Sequence, residues 1–192
     1  MLLLQKERPG EMLTIYDDSH PILREVAKEV ELPLSEEDRQ LLFAMLEHLK
    51  MSQDPELAKK YNLRPGVGLA APQVGVSKRM IALYFYSKKH GYVSRLLVNP
   101  KIVSESVKQV YLEGGEGCLS VPRFYEGEVF RNYIISVEAY DAMKNEHVTL
   151  RASGFEAIIL QHEIDHLNGI LFYDRILPPA QALFKKQEAI AI

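Results

Sequence analysis

One stretch, Phe155 to Gly169, constrains this chain more than any other. Ser153-Gly154-Phe155-Glu156 has the spacing of a capping box, Phe155 to Leu160 is nearly all apolar, and Asn168-Gly169 is a C-terminal stop. The result is a helix of roughly 14 residues, so apolar that it must be buried on most sides. Its second half nevertheless carries His162-Glu163-Ile164-Asp165-His166. A four-residue helical step turns through about 400°, so both imidazoles lie on one face, about 6 Å apart along the axis. At that spacing both can reach one metal ion. Burying two histidines, a glutamate and an aspartate without partners would cost several kcal/mol, which a bound metal offsets. Glu163 follows His162 and projects near the same site, as in the H-E-x-x-H arrangement where it serves as general base toward a metal-activated water. His20, His48, His90 and His147 stand singly in turns or on polar faces and read as surface residues.

A catalytic site of this type needs a third protein ligand and one open position. The metzincin pattern continues through Gly169 but then requires histidine where this chain has Phe172. A thermolysin-like site would use a downstream glutamate, and Glu188 is available, although it sits in a charged tail beside Lys185 and Lys186. The third candidate is Cys118, preceded by glycines at 114, 115 and 117 that free the backbone for a tight turn. It is the single cysteine of the chain. One thiol forms no internal disulfide, which fits a reducing, cytoplasmic setting. By base rate a lone cysteine is a small buried hydrophobe.

The remainder supplies an α+β frame. Pro21 with Ile22, Leu23, Val26, Ala27 and Val30 predicts a first helix. Ser35 and Asp38 cap a second, with Leu41, Leu42, Met45, Leu46 and Leu49 on one side, and Ser52 to Arg64 is partly helical. Strands are predicted at Arg79–Tyr86, Val93–Val98 (ended by Asn99-Pro100), Ile102–Leu112, Glu128–Tyr140 and His147–Ala152. The intervals between them are too short for helical crossovers, so the sheets should be mainly antiparallel. They surround the buried helix carrying H-E-x-x-H, with helices N-terminal to them. With 192 residues and no linker, 1–192 reads as one catalytic domain, in which about 178–192 is a peripheral helix or tail.

Twenty-three basic against 26 acidic residues, a net charge of −3, argue against general nucleic-acid binding. The apolar run Met1 to Leu4 is shorter than the roughly 7–15 residues of a secretory segment, and no later run approaches the roughly 18 that span a bilayer. A soluble cytoplasmic protein is expected.

A third segment, Gly66-Val67-Gly68-Leu69-Ala70-Ala71-Pro72-Gln73, fits the G-x-G-x-x-A dinucleotide pattern only loosely. No clear strand precedes it, and Pro72 interrupts the phosphate-binding helix. It is either a structural loop or a cleft wall whose small residues let a substrate chain come close, with Gln73 adding an amide donor.

Gly66 to Gln73, Glu116-Gly117-Cys118-Leu119-Ser120 and Gln161 to His166 together resemble the three motifs of the peptide deformylases, in the family's order. The resemblance extends from about Leu13 to Asp174, and Ser52 to Arg64 looks like the insert of the longer bacterial class. It implies a metal-dependent hydrolase that removes formate from the N-formylmethionine of nascent polypeptides. It implies Cys118, His162 and His166 as ligands of one divalent ion, Fe²⁺ in the cell and replaceable by Zn²⁺, Ni²⁺ or Co²⁺. With Fe²⁺ and a thiolate ligand, the site would be sensitive to oxidation. It further implies Glu163 as the proton shuttle, and the Gln73 amide and Leu119 backbone N–H as donors to the formyl oxygen. Backbone at Val67 and Gly68 would hold the peptide as an added strand. Ile158 and Ile159 would line a pocket for the methionine side chain, or simply form helix core. Asp165 would orient a ligand, or stand as a surface carboxylate. A monomer is expected, with contact to the ribosome suggested by the substrate. The competing enzyme is a zincin-type endopeptidase, and the competing non-enzyme is a domain stapled by a structural metal, which would need a fourth protein ligand.

Overall fold

The computed structural model describes residues 12–192; the apolar run Met1 to Leu4 lies outside them. Helix α1, Glu36–Gln53, begins where Ser35 Oγ accepts the Asp38 N–H at 3.1 Å, with acidic residues filling the first turn. Leu42, Met45, Leu46 and Leu49 form its buried stripe. Asp54 ends α1 and caps α2, Pro55–Tyr61, by accepting the N–H groups of Glu56 and Leu57.

Five strands form one antiparallel sheet: β1 (Gly68–Ala70), β2 (Met80–Ser87), β3 (Gly91–Glu105), β6 (Ile134–Asp141) and β7 (Glu146–Ser153), in the order β1-β2-β3-β6-β7. A smaller sheet joins β4 (Gln109–Tyr111) to β5 (Arg131–Asn132) antiparallel and to β8 (Ile190–Ala191) parallel.

The period-2 alternation of the central strands divides the core in two. Ile81, Leu83, Phe85 and Leu97 face α3, Phe155–Leu167, whereas Met80, Ala82, Leu96 and Val98 face α1. The helices thus cover opposite faces of the sheet. The α+β class and the mainly antiparallel arrangement agree with the sequence. No described helix is long and apolar enough to cross a membrane.

Several local expectations are corrected. Pro21–Arg24 is one 3-10 turn, not the start of a longer helix. The segment after it is extended because its polar backbone is engaged elsewhere. Ala27 N–H donates to Leu167 O, Lys28 O accepts from Arg79 N–H, and Val30 exchanges two bonds with the Asn99 side chain. Strand β3 runs through Asn99-Pro100, because Asn99 adopts a left-handed conformation (φ 51°) and the register shifts between Val98 and Lys101. The predicted strand at Ile102–Leu112 is divided between β3 and β4, and residues 128–130 precede β5 rather than forming strand. The capping box at Ser153 does not form. Ser153 is the last residue of β7, Gly154 turns the chain at φ 58°, and Glu156 pairs with Arg95 at 3.2 Å. The C-terminal piece contains the expected helix, α4 (Pro179–Lys186), and then β8, which the sequence reading did not foresee. His48 is 7% exposed, not a surface residue.

Candidate metal centre

Ten of the 13 residues of α3 are buried, so the helix threads between the sheet and the smaller sheet rather than lying on either. On its far end from the cap, His162 and His166 meet edge to face one turn apart, ring centroids 5.0 Å from each other. The loop between β4 and β5 brings Cys118 to them, through Gly114 (φ 87°) and Gly115 (φ 86°). Cys118 Sγ lies 3.2 Å from His166 Nε2. The sulfur and one nitrogen from each histidine all fall within 4.8 Å of one another, and they are the only such group of three among the described residues. One soft thiol and two imidazoles suit a divalent transition metal, and three protein donors leave a position open. Glu188, the rival third ligand, is exposed and outside this group.

Glu163 is 4% exposed and its Oε2 has no hydrogen-bond partner. Burial pushes its carboxyl up to about 7. It faces Gly68 closely enough that a Cβ there would collide with the carboxylate, so this strand must carry glycine at that point. The Gly66–Gln73 segment is therefore a cleft wall, and it opens through β1 at the edge of the large sheet.

Gln73 is 1% exposed and rigidly held. Its Oε1 accepts the Ala70 N–H at 2.8 Å, and its Nε2 donates to Ser120 Oγ at 3.1 Å and approaches Cys118 Sγ at 3.5 Å. The amide donor is thereby aimed at the three-donor group. The Leu119 N–H makes no hydrogen bond to another described residue. A cleft of about 430 Å³ joins these parts, bounded by Val67, Gly68, Gln73, Leu119, Ile158, Ile159 and Glu163. Ile158 is committed to that cleft, whereas Ile159 lines it and also packs into the core beneath the large sheet. Every predicted site residue is brought together here.

Behind the histidines lies a charged network that sequence reasoning missed. Glu116 Oε2 is 2.8 Å from His162 Nδ1. Arg131 grips Glu116 through two bonds, 2.5 and 2.9 Å, and reaches Asp165 at 2.9 Å. Arg175 closes the far side of Asp165 through two bonds of 2.5 Å. Asp165 is thus 5% exposed and fully paired, which excludes the surface-carboxylate alternative. Burial alone would raise the Glu116 carboxyl, but hydrogen bonds from Arg131 and His162 bring it down to about 2. Glu116 was visible within its motif; Arg131 carried no local signal. Phe172, which stands where a metzincin has its third histidine, stacks on the His162 ring at 6.2 Å.

Comparison with known proteins agrees with this geometry. The family described as polypeptide deformylase matches residues 12–182. A peptide deformylase from Halalkalibacterium halodurans is 57% identical over 86% of this chain and 92% of its own. One from Macrococcus caseolyticus is 54% identical over 94% and 100%. The crystal structure of the Thermotoga maritima peptide deformylase superposes with a TM-score of 0.68 at 34% identity, covering 87% of this chain and 99% of its own.

Proposed function

Because the chain belongs to the polypeptide deformylase family, we propose that Cys118, His162 and His166 hold its metal ion and that Glu163, Gln73 and Leu119 carry out the chemistry beside it. The enzyme removes the formyl group from N-formylmethionine of nascent polypeptides. The observation that carries the residue assignment is the cluster of three donor atoms within 4.8 Å, set against a buried, unpartnered Glu163 at the cleft.

When bound, a divalent ion polarises the formyl carbonyl and makes water a better nucleophile at neutral pH. The chain's own groups supply the rest. Glu163 accepts a proton as water oxygen bonds to the formyl carbon. The Gln73 Nε2–H and the Leu119 N–H donate to the formyl oxygen as charge builds on it. Gln73 needs no reorganisation for this, because Ala70 and Ser120 fix both ends of its amide. The carbon–nitrogen bond then breaks, and Glu163 returns its proton to the departing amine. The products are formate and a free α-amine.

Backbone at Val67 and Gly68, beside the open edge of β1, accepts the peptide as an added strand and ignores side-chain identity. Ile158, with Ile159 behind it, takes the methionine side chain. The bound ion in the cell is Fe²⁺, with Zn²⁺, Ni²⁺ and Co²⁺ as substitutes, a reading supported by the mixed thiol and imidazole donors. Residues 1–192 act as one catalytic domain and as a cytoplasmic monomer, meeting their substrate as it leaves the ribosome. The zincin-type endopeptidase reading is not favoured, since the family is that of the deformylases and the third-histidine position is Phe172.

Formate release from formyl-Met peptides by anaerobically metallated protein tests this assignment. Activity that disappears in Glu163→Ala while metal stays bound is expected. No formate with Fe²⁺, Ni²⁺ or Co²⁺ loaded, or cleavage of internal peptide bonds instead, would overturn it.

A further inference from the structure

Arg131 lines no part of the cleft and is none of the three donors, yet its side chain is only 2% exposed. It lies on β5, a strand of two residues, and its guanidinium joins two pieces of chain that the site must hold together. One edge takes both oxygens of Glu116, two residues before Cys118. The remaining nitrogen takes Asp165 on α3, one residue before His166. The Glu116 oxygen that accepts from Arg131 Nη2 is also the one at His162 Nδ1. A planar cation with donors in a fixed fork can fix both carboxylates at once; an ammonium on the same stem cannot.

We propose that Arg131 is a positioning residue for metal retention: by fixing Glu116, it keeps His162 Nδ1 as the hydrogen-bond donor and leaves Nε2 as the nitrogen that faces Cys118 and His166. Outer partners of this kind set the tautomer and ring orientation of a ligating histidine. The inference rests on the ligand assignment above. Arg175 supplies an internal comparison. It belongs to the same network and bonds the same aspartate, but it is 44% exposed and does not reach Glu116.

The experiment is a thermodynamic cycle read as Zn²⁺ affinity, measured by chelator competition, with the melting temperature of the metal-free protein recorded in parallel. Arg131→Met should weaken Zn²⁺ binding by about 10–100-fold. The same change in a Glu116→Gln background should add no more than about twofold, because its route is already cut. Arg175→Met should leave the affinity within about twofold. Should Arg131→Met fail to fold, Arg131→Lys replaces it in the cycle, with a smaller loss in the same direction. Multiplying losses from Arg131→Met and Glu116→Gln, or a lowered melting temperature with unchanged Zn²⁺ affinity, would overturn the proposal. Cys118→Ala tests the underlying assignment separately: if it retains full Zn²⁺ affinity, the ligand reading falls whatever Arg131 does.

Discussion

Helices α1 and α3 close opposite faces of the same sheet, and they do so with different contents. The inner side of α1 is mainly aliphatic, a stripe of Leu42, Met45, Leu46 and Leu49 beside a buried His48. Its stability comes from the area it removes from water, about 25 cal/mol for each Å² of apolar surface. Helix α3, buried on most sides, mixes Ile159, Leu160 and Ile164 with His162, Glu163, Asp165 and His166, all of them buried or nearly so. Apolar burial there must also cover the desolvation of charged groups, most of which are matched by Glu116, Arg131 and Arg175. Glu163 Oε2 and His166 Nδ1 are the exceptions, each buried without a hydrogen-bond partner. One helix is built for stability, and the other gives up part of its stability to keep a reactive carboxyl dry.

The widest separation between the two should come from Glu163→Gln. We expect kcat to fall by about 10²–10⁴-fold, the range for losing a general base, while the melting temperature holds or rises. Formate assays and thermal melts on one preparation decide it, and a variant that loses stability instead of rate would erase the contrast. Met45→Ala should do the reverse. It should cost about 2–5 kcal/mol of unfolding free energy in a urea titration and leave kcat per folded molecule intact. A change in kcat would mean that α1 reaches the site through the sheet.

A smaller effect should come from His48, whose burial on α1 lowers its affinity for a proton. The unfolded chain then binds more protons than the folded one below its ordinary value of about 6.5. Stability is therefore fully present above that pH and falls as the solution is acidified toward the folded value, by at most about 1.4 kcal/mol per pH unit. Denaturant titrations of His48→Leu between pH 5 and 8 should show a shallower acid slope than the starting chain; equal slopes would assign the acid sensitivity to another group. The smallest effect is expected at Val26, which is 69% exposed and belongs to no helix. Val26→Ser should change stability by less than about 0.5 kcal/mol. A larger loss would restore the helical reading of that segment.

What the sequence disclosed follows the range over which each signal acts. His162 and His166 were legible because one helical turn fixes their relation, and Cys118 because the glycines before it are neighbours in the chain. Arg131 was not, since its partners lie 15 and 34 residues away and a single arginine in a strand has no periodicity to betray it. Val26 to Val30 misled because its helical spacing was real but its backbone bonds were claimed by Leu167, Arg79 and Asn99. Strand β8 escaped because two residues are too few to show alternation. His48 could have been found: it lies three residues after Met45, on the same side of α1.

The length of β1 has one more consequence. Exposed sheet edges invite pairing with other chains, and long ones promote aggregation. Here the edge strand is three residues long, and all three are buried. Three residues offer few backbone partners to a neighbouring chain. In the binding mode proposed above, a formylated peptide is also held by its first side chain and its formyl oxygen, so a short edge would suffice. The same economy that limits pairing along the edge would leave it to the proposed peptide, whatever its side chains.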